Sequence, residues 1–163
     1  MKRTVIIVAI AAVALISAWA YPQLFSNPRN YVVFYPPEKI MVTPGKPATV
    51  ELLFRVTRGY HINSNKPHDK LLIPTLLEVQ APTELGMKVE YPAGQDKTFG
   101  FSPEKMNVYD GDVTLKLQLA PPAGASPGTH KLTGHLKYQA CNDRACFPPN
   151  KVPVELEVEI GKK

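Results

Sequence analysis

Apolar and polar residues alternate through most of this chain. Val50, Leu52, Phe54 and Val56 are interleaved with Thr49, Glu51, Arg55 and Thr57. Val113, Leu115, Leu117 and Leu119 alternate with Thr114, Lys116 and Gln118, and Val152, Val154, Leu156, Val158 and Ile160 with Glu155, Glu157 and Glu159. A period of two sends successive side chains to opposite faces of a strand, giving one buried and one wet face, as antiparallel sheets show. Shorter or weaker strands are expected at Tyr31 to Tyr35, Leu72 to Gln80, Met87 to Tyr91 and Lys131 to Gln139. No stretch keeps a 3.6-residue apolar period over three turns.

The punctuation between these runs agrees. Pro36-Pro37, Pro44-Gly45, Asp110-Gly111, Pro121-Pro122 and Pro127-Gly128 fall where the chain must reverse. Seventeen prolines and ten glycines argue against long helices and for many short strands. About eight strands at this spacing predict an all-β fold, an immunoglobulin-like antiparallel β-sandwich. Gly94 to Asp110 does not alternate and carries Phe99, Phe101, Met106 and Tyr109, so it is expected to be a long loop. Such loops act as lids or binding loops, or plug one end of a sandwich.

The N-terminus has a different pattern. Lys2 and Arg3 precede an unbroken apolar run from Val5 to Ile16, and Ala18-Trp19-Ala20 has the small-x-small form of a signal-peptidase site. Residues 1–20 therefore read as a signal peptide or as a membrane anchor helix. Thr4 to Ala20 is 17 residues long, at the lower limit for crossing a hydrocarbon core of about 30 Å. Residues 21–30 read as a tether and 31–163 as one sandwich domain. On either reading the domain is exported to the periplasm or an equivalent extracytoplasmic space, where disulfides persist.

Charge narrows the partners. Losing Lys2 and Arg3 would take two charges from the net +5 and leave +3, scattered over the surface. No basic stripe is interleaved with aromatics, so nucleic acid is not an expected partner. Ser64 and Ser102 lack a nucleophile-elbow sequence, and there is no glycine-rich phosphate loop. The histidine and cysteine spacings match no metal motif, and neither a metal nor another cofactor is expected.

The candidate chemistry is carried by Cys141 and Cys146, the only cysteines, with four residues between them. A disulfide stabilises mainly by restricting the unfolded chain, and the effect grows with the logarithm of the loop it closes. A ring of about 6 residues contributes roughly 2 kcal/mol, against about 4 for a staple across some 60. The pair is thus poorly placed as a staple and well placed to open and close, although an inert hairpin disulfide in a non-catalytic binding module stays as the alternative. Arg144 between the cysteines favours thiolate and Asp143 opposes it.

Tyr138-Gln139-Ala140-Cys141, four residues, then Cys146-Phe147-Pro148-Pro149 resembles the active-site segment of the N-terminal periplasmic domain of the DsbD thiol:disulfide interchange family. Gly59-Tyr60-His61-Ile62-Asn63-Ser64 and Ile73-Pro74-Thr75 add to the resemblance, which covers Tyr31 to Ile160. The resemblance implies an immunoglobulin-like domain that passes electrons by disulfide exchange. A thioredoxin-like domain supplied by a membrane electron carrier would reduce it, and it would reduce thioredoxin-like periplasmic proteins, including those of cytochrome c maturation. It also implies that Cys146 forms the mixed disulfide with the partner and that Cys141 is its mate. Phe99 and Phe101 are the matching candidates for a cap over the pair, and Tyr60 and His61 for its aromatic surroundings. A chain of this length would be one module of such a relay rather than a complete reductase.

Overall fold

The computed structural model describes residues 30–81 and 85–162. The expected signal or anchor segment, residues 1–20, and nearly all of the tether lie outside the described residues. Within them the regular structure is strand only: β1 (Val32–Tyr35), β2 (Ile40–Val42), β3 (Ala48–Val56), β4 (His61–Asn63), β5 (Leu76–Gln80) and β6 (Gly86–Glu90) are followed by β7 (Gln95–Lys97), β8 (Met106–Tyr109), β9 (Asp112–Ala120), β10 (Gly128–Tyr138), β11 (Ala140–Cys141) and β12 (Asn150–Ile160). One sheet has the order β1-β3-β9-β6 and a second the order β2-β12-β10-β5. All pairings are antiparallel except β2 with β12. This is the immunoglobulin-like sandwich that the alternation predicts.

The inward residues of the three long alternating segments form its core. Leu52 and Phe54 of β3 and Leu115, Leu117 and Leu119 of β9 share one buried cluster with Leu132 and Leu136 of β10 and Val154, Leu156 and Val158 of β12. Burying each such side chain stabilises by about 1.5–3 kcal/mol relative to leaving it in water. On the wet face, Glu155 and Glu159 pair with Lys131 and Lys39. Pro153 is tolerated inside β12 because β2 covers that strand only at Val158 to Ile160, leaving the edge beside the proline without a partner strand.

A third sheet, of order β11-β4-β8-β7, closes one end of the sandwich. It is built from continuations of the main strands: β4 follows β3 and β8 precedes β9, while β11 follows β10. The expected loop at Gly94 to Asp110 is thus a hairpin, β7 pairing β8 from Gln95↔Val108 to Lys97↔Met106, with residues 98–105 as its tip. Asp110-Gly111 turns the chain from β8 into β9 with Gly111 at φ 60°, a conformation that disfavours a side chain. The strand expected from Leu72 begins only at Leu76, since Pro74 lacks an N–H and Thr75 is tied to the end of β4 by its N–H to Ser64 O (3.1 Å) and its hydroxyl to Asn63 O (2.6 Å).

β5 packs closely on β10 at Gly134, where an added Cβ would collide with the backbone carbonyl of Glu78 and lie 2.8 Å from Val79 Cα. Gly134→Ala is therefore expected to destabilise the domain by about 1–3 kcal/mol, as overpacking does. The check is a lower urea midpoint with an unchanged slope.

Candidate functional site

The third sheet presents the cysteines. Gln139 carries the chain from β10 into β11, and a hairpin follows. Phe147 N–H donates to Ala140 O (2.8 Å) and Asn142 N–H to Ala145 O (3.0 Å). Between these two hydrogen-bonded positions Cys141 and Cys146 are opposed as an antiparallel bridge, Cα atoms 3.9 Å apart, and are joined as a disulfide. Pairs of this kind bring side chains closest across antiparallel strands. The turn is held by Asn142, whose Oδ1 accepts from Arg144 N–H (2.9 Å) and Ala145 N–H (3.0 Å).

On its other side Cys141 is the register partner of His61 in β4. His61, Cys141 and Cys146 therefore stand in a row across three adjacent backbone segments. Cys141 is 0% exposed, whereas Cys146 is half-buried. Both belong to a small cluster with Met106, Val108, Leu72, Phe99 and Phe101, separate from the sandwich core.

The β7–β8 hairpin tip lies over this row. The Phe99 ring stacks on His61 with centroids 3.9 Å apart and planes at 13°, and Phe101 stacks on Phe99 at 5.7 Å. The tip is fixed at its base by the ion pair of Lys97 with Asp110 and by the hydrogen bond of His68 Nε2 with Asp96 (2.8 Å); Asn107 Nδ2 also donates to Asp96 (2.7 Å). The Asn107 and His68 hydrogen bonds hold the Asp96 carboxyl below the usual carboxylate range. His61 is 4% exposed, its Nε2 has no hydrogen-bond partner, and burial pushes its pKa below the ordinary histidine value.

The other residues singled out by sequence take different positions. Tyr60, the neighbour of His61, turns to the opposite side and packs with Tyr31 (4.6 Å) and Phe147 (5.9 Å) against the sandwich core. It meets the cysteine segment from behind, through Phe147. Arg144 is exposed at the turn, and among the described residues its guanidinium has no ion-pair partner. Among those residues no group of three or more His, Cys, Asp or Glu is arranged to hold a metal.

Two further side chains matter, the amides of Asn63 and Gln139. Asn63 Nδ2 donates to Gln139 Oε1 (3.1 Å) and to Ile73 O (3.0 Å), and Gln139 Nε2 donates to Phe147 O (3.2 Å). This chain of hydrogen bonds ties the cysteine hairpin to β4 and to the loop before β5. The available signal was positional: both amides sit beside aromatic and cysteine residues where a surface residue would suffice. Beyond the tip lies an open cleft of about 650 Å³ between residues 68–72 and 101–106, lined by Leu72, Phe101 and Met106 among charged neighbours.

The profile of the family described as thiol:disulfide interchange protein DsbD, N-terminal, matches residues 32–157. Among solved structures, the chain is similar to the Neisseria meningitidis DsbD N-terminal domain in its reduced form, at 20% identity over 67% of this chain and 76% of that one, with a TM-score of 0.41. It is also similar to that organism's DsbD N-terminal domain in complex with the PilB N-terminal domain (20% identity, 80% and 86% covered, TM-score 0.45). The N-terminal periplasmic domain of ScsB from Proteus mirabilis is matched at 14% identity over 70% of this chain and 42% of that one, with a TM-score of 0.49. No curated protein matches. With the profile spanning the sandwich, the third sheet and both cysteines, the chain belongs to the family of DsbD N-terminal domains.

Proposed function

We propose that this domain is an extracytoplasmic thiol:disulfide exchange module that carries two electrons between thioredoxin-like partners through Cys141 and Cys146. The observation that carries the reading is the position of the disulfide. It joins residues that backbone pairing already opposes, in a cluster apart from the main core, so it adds little to stability. Family membership supports the same chemistry.

In the reduced domain the Cys146 thiolate attacks one sulfur of a partner disulfide, and the partner's other sulfur leaves as a thiolate. Cys141 then attacks Cys146, the mixed disulfide breaks, and the partner departs reduced while the Cys141–Cys146 bond is restored. Cys146 is suited to the first step because it is the more accessible sulfur, and access governs exchange rates. Phe99 and Phe101 act as a cap that limits attack by other thiols. Tyr60 supports the segment from behind through Phe147, and Arg144 favours thiolate at the turn. Leu71, 89% exposed, and the exposed Ile73 flank the Leu72 that packs beside the cysteines, offering an apolar rim to a docking partner. A membrane electron carrier supplies the upstream electrons, and a membrane tether through residues 1–20 would keep the domain near it.

Three outcomes are expected. The reduction potential, measured by alkylation in glutathione or dithiothreitol buffers, falls within about −120 to −270 mV; a value well below about −300 mV would mark an inert staple and remove the reading. Cys141→Ser in cells accumulates a mixed disulfide through Cys146, detected as a reducible higher-mass species on gels, whereas Cys146→Ser does not. Phe99→Ala loses its stacking on His61 and Phe101, each such pair worth about 0.5–1.5 kcal/mol. Reduction of the oxidised domain by dithiothreitol should then accelerate about tenfold, followed by quenched alkylation.

A further inference from the structure

Returning the disulfide to its closed state demands a thiolate from Cys141, and its surroundings oppose one. Cys141 is 0% exposed among Met106, Val108 and aromatic rings. Apolar burial raises a thiol's pKa. Water does not reach it to take the proton, and the Arg144 side chain stands exposed on the turn. The polar side chain opposite Cys141 in the β11–β4 register is His61, itself 4% exposed with Nε2 lacking any partner. A buried imidazole nitrogen left unpaired is costly and calls for an explanation, of which a catalytic role is one.

We infer that His61 is the proton acceptor for Cys141 in the step that releases the partner. The inference rests on the exchange reading above and assigns to His61 a role in that reaction. The Cys141 Sγ–H proton passes to an imidazole nitrogen as Sγ bonds to Cys146 Sγ. The bond between Cys146 and the partner's sulfur breaks, and its electron pair leaves with that sulfur. The imidazolium then loses its proton to solvent once the cap has moved. In the reverse direction the imidazolium returns a proton to Cys141 as the disulfide opens.

The charges around His61 fit an acceptor. Burial keeps the imidazole neutral at pH 7, so one nitrogen has a free lone pair. Asp143 from the hairpin turn and Asp110 after β8 favour the imidazolium that forms, while Lys97 of β7 opposes it. Phe99 contributes no charge and shields the ring from water.

The test uses the full chain, reduced and mixed with dithionitrobenzoate. One coloured thiolate is released when Cys146 is modified, and a second when Cys141 displaces the adduct. A thiol with the ordinary pKa of about 8.5 is about 3% ionised at pH 7, so a positioned acceptor can gain roughly 30-fold. In the wild type the second release should rise with pH as His61 loses its proton, and level off from a point below about 6.5 upward. In His61→Phe, which keeps a ring to stack on Phe99, the second release should slow at least about 30-fold at pH 7 and keep climbing through and beyond the ordinary thiol range of about 8.5. The first release should be unchanged. His61→Gln, smaller and polar, should lose the same plateau and guards against a packing effect of the larger ring. Identical rates and pH profiles in the wild type and both variants would overturn the inference and leave the exchange reading intact. No second release in the wild type would remove the exchange reading itself.

Discussion

Backbone register is the constraint from which the site follows. Cys141 is paired on one side with His61 and on the other with Cys146, so three side chains are set in line by main-chain hydrogen bonding before any of them reacts. Phe147 N–H to Ala140 O and Asn142 N–H to Ala145 O tie the hairpin independently of the disulfide. These bonds would keep the sulfurs near each other once the disulfide opens. Proximity of this kind makes ring closure an intramolecular step with a high effective concentration.

The third sheet also separates the chemistry from the fold. The sandwich core is complete in the packing of β3 and β9 on β10 and β12, none of which needs the disulfide. The cysteines share their own small cluster, whose aromatic members come from a hairpin tip rather than from the main sheets. A local opening that lifts Phe99 and Phe101 would leave the sandwich cluster untouched, and proteins open in such units at well below the global unfolding cost.

How far the sequence disclosed this follows from strand length and burial. The runs at β3, β9 and β12 were legible because nine to eleven residues with one wet face give a clean period of two. The third sheet was not, for two physical reasons. Its strands are two to four residues long, too short to show a period. In β4, moreover, His61, Ile62 and Asn63 are all buried, so the alternation that marks a strand is absent. Gly94 to Asp110 reads in the sequence only as an aromatic-bearing loop, whether lid, binding loop or end plug, because its pairing as β7 and β8 depends on partners in β4 that only the fold supplies. Of the candidate residues, the cysteines, Phe99, Phe101 and His61 do converge. Tyr60 and Arg144 could not be separated from them by spacing, since a neighbour in a strand points away and a turn residue points to solvent.

The two sulfurs differ in burial, and in the proposed exchange that asymmetry would set the direction of attack. A partner must reach the sulfur it bonds to, and only Cys146, half-buried and next to the exposed turn, offers that access. Cys141 is enclosed, so in the proposed exchange a partner would meet it only after engaging Cys146, and burial alone would order the two steps. Apolar enclosure disfavours a thiolate, so the burial that would shield Cys141 from unrelated oxidants would also slow its own attack. Burial of His61 beside it would answer both demands under the proposed mechanism. Phe99 stacks on this imidazole, burial favours its neutral form, and a neutral imidazole is the form that accepts a proton. In the proposed relay, protection and reactivity would then both rest on one stacked pair, Phe99 on His61, rather than on opposing devices.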